Sequence, residues 1–504
     1  MGPLSDKRSR RLQRCTLFIA GLLVAGSAWV AVAPGHWWDP GEGRPFPARL
    51  DVANPAGSHR VLLVDGPMET RGHPFFEPLG KYGRACVTCH QPADGMSLST
   101  ASIQEQWRRN GHTDPLFAAY DGSNCPDLPQ DKAESHSLLL EHGLFRIPRP
   151  WPPRNHDGSV IEPDFTLEVE RDPTGCNLSS TWGLASAEPT VSVFRRPRPV
   201  ANLKYVEAMG FNFDPKQGLP LPMDPETGRP ASGNLMADRR VLSLQAQMQD
   251  AAHHHLGFRE ALTPADIERI HDFELRVYVA QQTSRVGGAL DTGGAQGGPA
   301  LLRDSPAGRL GSQGIPLWSE FDAWARADED PGLTPEQREW RKSVARGAAS
   351  FRDRMFLIND SSGINSRIGF GNPVRDRCAF CHNMSQMGMD VAPGQVDLGT
   401  TTLPYADPAP HLPLFRITCT GKPHPHYGRE IYTHDPGFAL TTGRCEDVGK
   451  ITLQTLRGLA ARAPYFSNGS ARTLREVVEY YDRRYNIGYT EQEIQDLVNL
   501  MEAL

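Results

Sequence analysis

Two short runs of this 504-residue chain carry residue types suited to one particular covalent chemistry. Cys86-Val87-Thr88-Cys89-His90 and Cys378-Ala379-Phe380-Cys381-His382 each set two thiols within one helical turn and place a histidine directly after the second. Both sulfurs can then reach the two vinyl groups of a single porphyrin while the histidine turns toward its iron. Cys86, Cys89, Cys378 and Cys381 therefore read as attachment points for two covalent c-type haems, with His90 and His382 as proximal iron ligands. A zinc knuckle would want a second Cys or His pair at short spacing, and neither run offers one.

Five of the nine cysteines lie outside these motifs. Cys15 belongs to an apolar N-terminal run. Cys125, Cys176, Cys419 and Cys445 make an even set suited to disulfides in an oxidising compartment. The local pairing, Cys125 with Cys176 and Cys419 with Cys445, is the expected one of three connectivities, and free buried thiols are the alternative. The N-terminus points to the same compartment. Lys7, Arg8, Arg10, Arg11 and Arg14 precede 19 uncharged residues from Cys15 to Ala33, the pattern of an export signal. That length approaches the roughly 20 residues that span a bilayer, with the basic flank inside. Pro34 opposes cleavage after Ala31-Val32-Ala33, which favours an uncleaved anchor over a cleaved signal. The expected location is the periplasm, at the cytoplasmic membrane through the N-terminal segment or secreted after cleavage.

A haem is the core of a small helical fold, so helices must flank each motif. Thr263-Pro264 reads as a helix start, with Ile267, Ile270, Phe273 and Val277 following at helical spacing. Pro335 to about Leu357 is a second helix. Thr490-Glu491-Gln492-Glu493 is a capping box opening a third, with Ile494, Leu497, Val498 and Met501 on one face. Residues from about 122 to 200 are rich in Pro and Gly and show little periodicity, which predicts an ordered wrap with short strands near Val191–Phe194, stapled by a disulfide. The expected class is mainly α: two cytochrome c-like haem domains, with long irregular insertions in the N-terminal one. The expected divisions are 1–34 for the signal or anchor, 45–330 for the N-terminal haem domain and 335–504 for the C-terminal one. A net charge of -6 is small for this length and argues against a nucleic-acid partner, which would want a clustered basic surface.

Leu456-Arg457, then Ala463-Pro464-Tyr465-Phe466-Ser467-Asn468-Gly469-Ser470, Thr473-Leu474 and Val477-Val478-Glu479-Tyr480-Tyr481-Asp482 form a recognisable series. It resembles the C-terminal signature of the bacterial dihaem cytochrome c peroxidases and the related MauG enzymes. The likeness covers about residues 340–504. In the N-terminal half it is looser, resting on the first motif and on Leu242 to Gln281. The resemblance implies a C-terminal haem that accepts electrons, with Tyr481 opposite His382 and with Met384, Met387 and Met389 as competing ligands. It also implies an N-terminal haem that meets hydrogen peroxide, with Gln247 and His255 over its distal face. A Ca2+ ion between the domains is a further implied cofactor. Two positions depart from the family: Phe213-Asp214 stands where the family has Trp-Asp between the haems, and Ser467 replaces a histidine.

The function so implied is that of a periplasmic, peroxidase-like dihaem oxidoreductase. It would reduce hydrogen peroxide, or oxidise a substrate through a high-valent N-terminal haem, with electron transfer through the C-terminal one. Its redox partner would be a small cytochrome, a cupredoxin or a substrate protein. The enlarged N-terminal half also resembles the rubber oxygenases, so a dihaem oxygenase using oxygen is one alternative. An electron-transfer cytochrome without enzymatic activity is another.

Overall fold

The longer helices among the described residues start at side-chain caps. The computed structural model describes Gly2 and residues 37–208, 223–229, 231–307, 318–366, 370–382 and 395–504. The apolar run Cys15–Ala33, Phe213-Asp214 and the methionines Met384, Met387 and Met389 lie outside them. Helix α1, Leu244–His255, begins where the Ser243 hydroxyl accepts the Ala246 N–H. Helix α2, Pro264–Arg276, begins at Thr263 with proline in its first turn and buries Ile270 and Phe273. It stops one residue short of the helical stripe read from the sequence, because Val277 opens a strand. Thr334 and Gln337 form a capping box at the start of helix α3, Pro335–Asp353. This helix ends four residues earlier than expected, since Phe356–Ile358 pairs with Val374–Asp376. Helix α4, Leu474–Tyr485, starts at Thr473, and helix α5, Glu491–Ala503, starts at the capping box of Thr490 and Glu493.

The expectation of a mainly α chain needs correction, because five sheets lie among the helices of the described residues. Four antiparallel strands, Arg49–Asn54, Gly57–Leu63, Val277–Ser284 and Gly288–Ala289, form the largest. Strand Phe165–Arg171 pairs with Leu414–Cys419, which pairs in turn with Glu430–Thr433. Phe145–Pro150 pairs with Thr190–Arg195. The Pro- and Gly-rich stretch is mostly turns and loops threaded by three short strands, of which Thr190–Arg195 covers Val191–Phe194, and Cys125–Cys176 staples it. Its strands are short, and they bury alternate residues such as Phe165 and Leu167 against Phe415 and Ile417. That period of two over so few residues is a weak signal in sequence.

Two larger apolar clusters carry the helices. One gathers Val61, Phe75, Leu244, Met248, Ile270 and Phe273 near the first motif. The other gathers Trp318, Trp324, Val344, Leu474, Leu497 and Leu500 near the second. Cys125 is joined to Cys176 and Cys419 to Cys445, with Cα atoms 5.2 and 5.7 Å apart. Among the described residues, no helix is long and apolar enough to cross a membrane.

Candidate functional site

Each Cys-x-x-Cys-His run opens onto its own cavity. The first forms a tight 3-10 turn at Cys86–Thr88, and Cys86 and Cys89 are free thiols on the cavity wall. His90 lies beside them, its Nδ1 3.3 Å from the Met96 carbonyl oxygen. Burial pushes its imidazole down to about 4, so at neutral pH it is an uncharged donor. The facing wall comes from α1. Leu244, Gln247, Met248, Ala251 and His255 recur at helical spacing and share one face toward the cavity. Both sequence-predicted distal residues, Gln247 and His255, are therefore in the same cavity as His90.

His255 is anchored from behind. Its Nδ1 lies 2.7 Å from Asp121 Oδ2, and Asp121 Oδ1 receives the Arg84 guanidinium at 2.5 Å. Arg84 also donates to the carbonyls of Pro115, Leu116 and His255. Burial pushes the Asp121 carboxyl up, but Arg84 and His255 outweigh it and hold the group below the usual carboxylate range. A carboxylate can only accept, so it takes the Nδ1–H of His255. Sequence reasoning missed both Asp121 and Arg84. Asp121 sits at the edge of the aperiodic stretch, where no motif marks it.

The second motif forms a single helical turn, Cys378–Cys381. Cys378, Cys381 and His382 line a cavity whose other walls include Phe466, Ser467 and Tyr481. The Trp318 indole donates to the His382 carbonyl at 2.9 Å. Tyr481 stacks on Tyr485 with ring centroids 6.3 Å apart, and Tyr485 is fixed by Ser361 at 2.8 Å. Burial pushes the Tyr481 phenol well above its usual range, so only a nearby cation would bring it to the anionic form. Ser467, at the position of the family histidine, also lines this cavity, and its carbonyl accepts the Arg196 N–H at 2.8 Å.

The two cavities are close in size, about 1520 and 1450 Å³ including their open mouths. Arg196, Gln454 and Thr455 belong to both walls, so they form the partition between them. The arginines there test the fit of a haem. Arg196, Arg198 and Arg462 are buried, bond main-chain carbonyls, and have no carboxylate partner among the described residues. Burial pushes Arg196 down to about 9 and the other two to about 10. Buried cations without counter-ions are costly unless an anion joins them. The two carboxylates of a haem are such anions, and the free thiols and apolar walls suit the rest of the ring. Residues present in both cavities therefore fit the group. Among the described residues, no cluster of three or more His, Cys, Asp or Glu side chains is gathered as a metal site, so none marks a place for Ca2+.

No family model matches the chain. Two curated proteins are similar to it over short stretches. Cytochrome-c peroxidase IdrP1 of Denitromonas iodatirespirans is 37% identical over 81 residues, 14% of this chain and 22% of that protein. The protein of the same name from Pseudomonas sp. strain SCT is 32% identical over 109 residues, 18% of this chain and 28% of that one. The matched stretch thus spans about a quarter of these relatives. Among solved structures, the hydrazine synthase of Kuenenia stuttgartiensis aligns with a TM-score of 0.29 at 14% identity, over 81% of this chain and 93% of its own. A variant of the dihaem peroxidase BthA from Burkholderia thailandensis aligns at 0.24 and 13%, over 91% and 95%. Scores this low carry no argument about the fold. What stands is a weak, local sequence likeness to cytochrome c peroxidases.

Proposed function

We propose that this chain is a dihaem c-type cytochrome that reduces hydrogen peroxide at its N-terminal cavity, with electrons passed through its C-terminal cavity. The observation that carries this reading is the Arg84–Asp121–His255 chain, which ends in an imidazole on the same wall-space as the Cys86–His90 motif. The local likeness to cytochrome c peroxidases supports it. A haem held by Cys86, Cys89 and His90 would supply the iron at which a peroxide oxygen binds and from which it draws electrons. The remaining work falls to side chains of this protein. Asp121 keeps the proton of His255 on Nδ1. Nε2 then takes a proton from the peroxide and returns it to the departing oxygen, which leaves as water. Gln247, two turns earlier on the same helix face, offers an amide that orients the peroxide. In the other cavity, His382 and Tyr481 would flank the second haem, and a small cytochrome, a cupredoxin or a substrate protein would exchange electrons with it.

Peroxide added to the ferric and half-reduced protein tests the reading. The His255→Ala variant should keep its haem and respond roughly 10²–10⁴-fold more slowly. If neither redox state responds to peroxide, the protein is an electron-transfer cytochrome. Stable oxygen binding with cleavage of an alkene would make it an oxygenase. A haemochrome titration should give two haems per denatured chain, and haem extractable with acid-acetone would overturn covalent attachment.

We also propose the periplasm as the location, with residues 15–33 as a membrane anchor. The basic flank, the apolar run and Pro34 support this. N-terminal sequencing of the native protein decides it, since a mature start between about residues 27 and 40 would mean a cleaved signal.

A further inference from the structure

One ionisable group on the wall of the N-terminal cavity takes no part in the scheme above. Glu274 lies near the end of α2, four residues after Ile270 and on the same face, and is 3% exposed. It lines the cavity, and its Oε2 is sealed from solvent without a hydrogen-bond partner. No cation lies within ion-pair distance of it among the described residues. An apolar residue would cost nothing here, whereas a carboxylate without a partner is expensive to bury.

The charged and titratable groups on the surrounding elements are otherwise engaged. On α1, His255 is tied to Asp121, and Asp250 to Arg240. At the end of the strand Thr190–Arg195, Arg195 is held by Asp435 and Asp238. Arg196 and Arg198 bond main-chain carbonyls. On the helix Leu203–Ala208, Glu207 faces His271 and Lys204 the carbonyls of Arg303 and Ser305. His73, packed on Phe273, is pushed down to about 4 chiefly by its own burial. In the first motif, His90 meets the Met96 carbonyl, and the Cys86 thiol, which senses the charge of Glu274 and is itself pushed up by burial, would be consumed by haem attachment. Burial alone therefore acts on Glu274 and pushes its carboxyl up to about 8.

We propose that Glu274 is a proton-exchanging group of the N-terminal cavity, protonated while the haem attached at Cys86 and Cys89 is reduced and ionised when that haem loses an electron. The proposal rests on the reading that this cavity holds a haem. Loss of one electron to a one-electron acceptor adds one positive charge inside a poorly screened space. The O–H bond of Glu274 then breaks, its electron pair stays on the carboxylate and its proton goes to water. A one-electron donor reverses both changes. Peroxide reduction consumes protons together with electrons, so a carboxyl loaded by reduction delivers one from within the cavity.

Redox titration of the holoprotein between about pH 6 and 10 tests this. As pH rises, the N-terminal haem should become harder to reduce, by up to tenfold in its reduction equilibrium per pH unit, about 59 mV for one electron. The Glu274→Gln variant, with the same shape and no ionisation, should flatten that dependence while the C-terminal haem keeps its own. An unchanged slope in Glu274→Gln, or a flat wild-type profile, overturns the proposal. Should the variant not fold, reduced-minus-oxidised infrared spectra of the wild-type protein serve instead. A protonated-carboxyl band gained on reduction is expected, and its absence overturns the proposal. A Cys86–His90 peptide of unmodified mass overturns the haem reading and the proposal together, whereas a haem-bearing protein with a pH-independent potential overturns the proposal alone.

Discussion

At the scale of single residues, a phenol and a carboxylate decide how the two cavities differ. Tyr481 has no hydrogen-bond partner for its hydroxyl among the described residues, in contrast to its stacked neighbour Tyr485. A hard anionic ligand there would stabilise ferric iron. The Tyr481→Phe variant should therefore lose the low-spin ferric signature of the C-terminal haem alone, read by magnetic circular dichroism. An unchanged spectrum would return the role to a methionine such as Met384. Asp121 acts by a different route. Asp121→Asn keeps the shape but leaves Arg84 buried without a counter-charge, which costs toward the lower end of roughly 3–5 kcal/mol because three carbonyls still accept its N–H groups. Chemical denaturation should show that loss, together with a slower peroxide response. Gln247 and His255 could be picked out in the sequence because a family pattern points to their region, and both line the cavity of the first motif. Asp121, Arg84 and Glu274 could not, since their importance comes from what they face across the fold.

At the scale of elements, capped helices were the legible part. Thr263 and Thr490 announce α2 and α5 because an N-cap is a local interaction that sequence displays directly. The strands were not legible to the same degree. Phe165–Arg171 finds its partner at Leu414–Cys419, almost 250 positions away, and no local signal encodes such a pairing. The crossing of α3 and α5 shows the same limit. Gly347 looks like a poor choice inside a long helix, where alanine would be favoured by roughly 0.5–1 kcal/mol. A Cβ at that position would overlap the Asp496 carbonyl oxygen of α5 and approach Leu500 Cβ to 3.1 Å. Backbone inside a helix cannot yield cheaply. The Gly347→Ala variant should thus be destabilised by roughly 1–3 kcal/mol despite its better propensity, seen as an earlier denaturant midpoint. A stabilised variant would show that the two helices can separate freely. Ser343 and Arg346 bond Asp496 at 2.6 and 2.8 Å and hold them together.

Across the whole molecule, buried ion pairs tie distant parts of the chain to one another. Asp238 meets Arg195 at 2.7 Å, Arg240 at 3.0 Å and Arg149 at 3.2 Å. Arg195 also binds Asp435, and Arg240 also binds Asp250. The network thereby joins both strands of the Phe145–Pro150 ribbon, the segment before α1, α1 itself and the loop after Glu430–Thr433. Burial raises the carboxyls of Asp238 and Asp250, but the arginines, joined at Asp250 by His254, outweigh it and hold both well below the usual range. The sign for stability follows from that depression. Each carboxylate contributes fully above its unfolded value, about 3.9, and its contribution is lost as pH falls toward the much lower folded value. Unfolding in acid must therefore take up protons at these sites. At about pH 3, nearly one proton should enter per depressed aspartate. Measured with a pH-stat during unfolding, the uptake of the Asp250→Asn variant should fall by about one proton per molecule. Asp250 is the better site for this test than Asp238, because its removal leaves Arg240 still bound to Asp238, whereas loss of Asp238 leaves Arg149 without its carboxylate. Equal uptake in the variant and the wild-type protein would mean that Asp250 titrates normally in the fold and that Arg240 and His254 are not its effective partners.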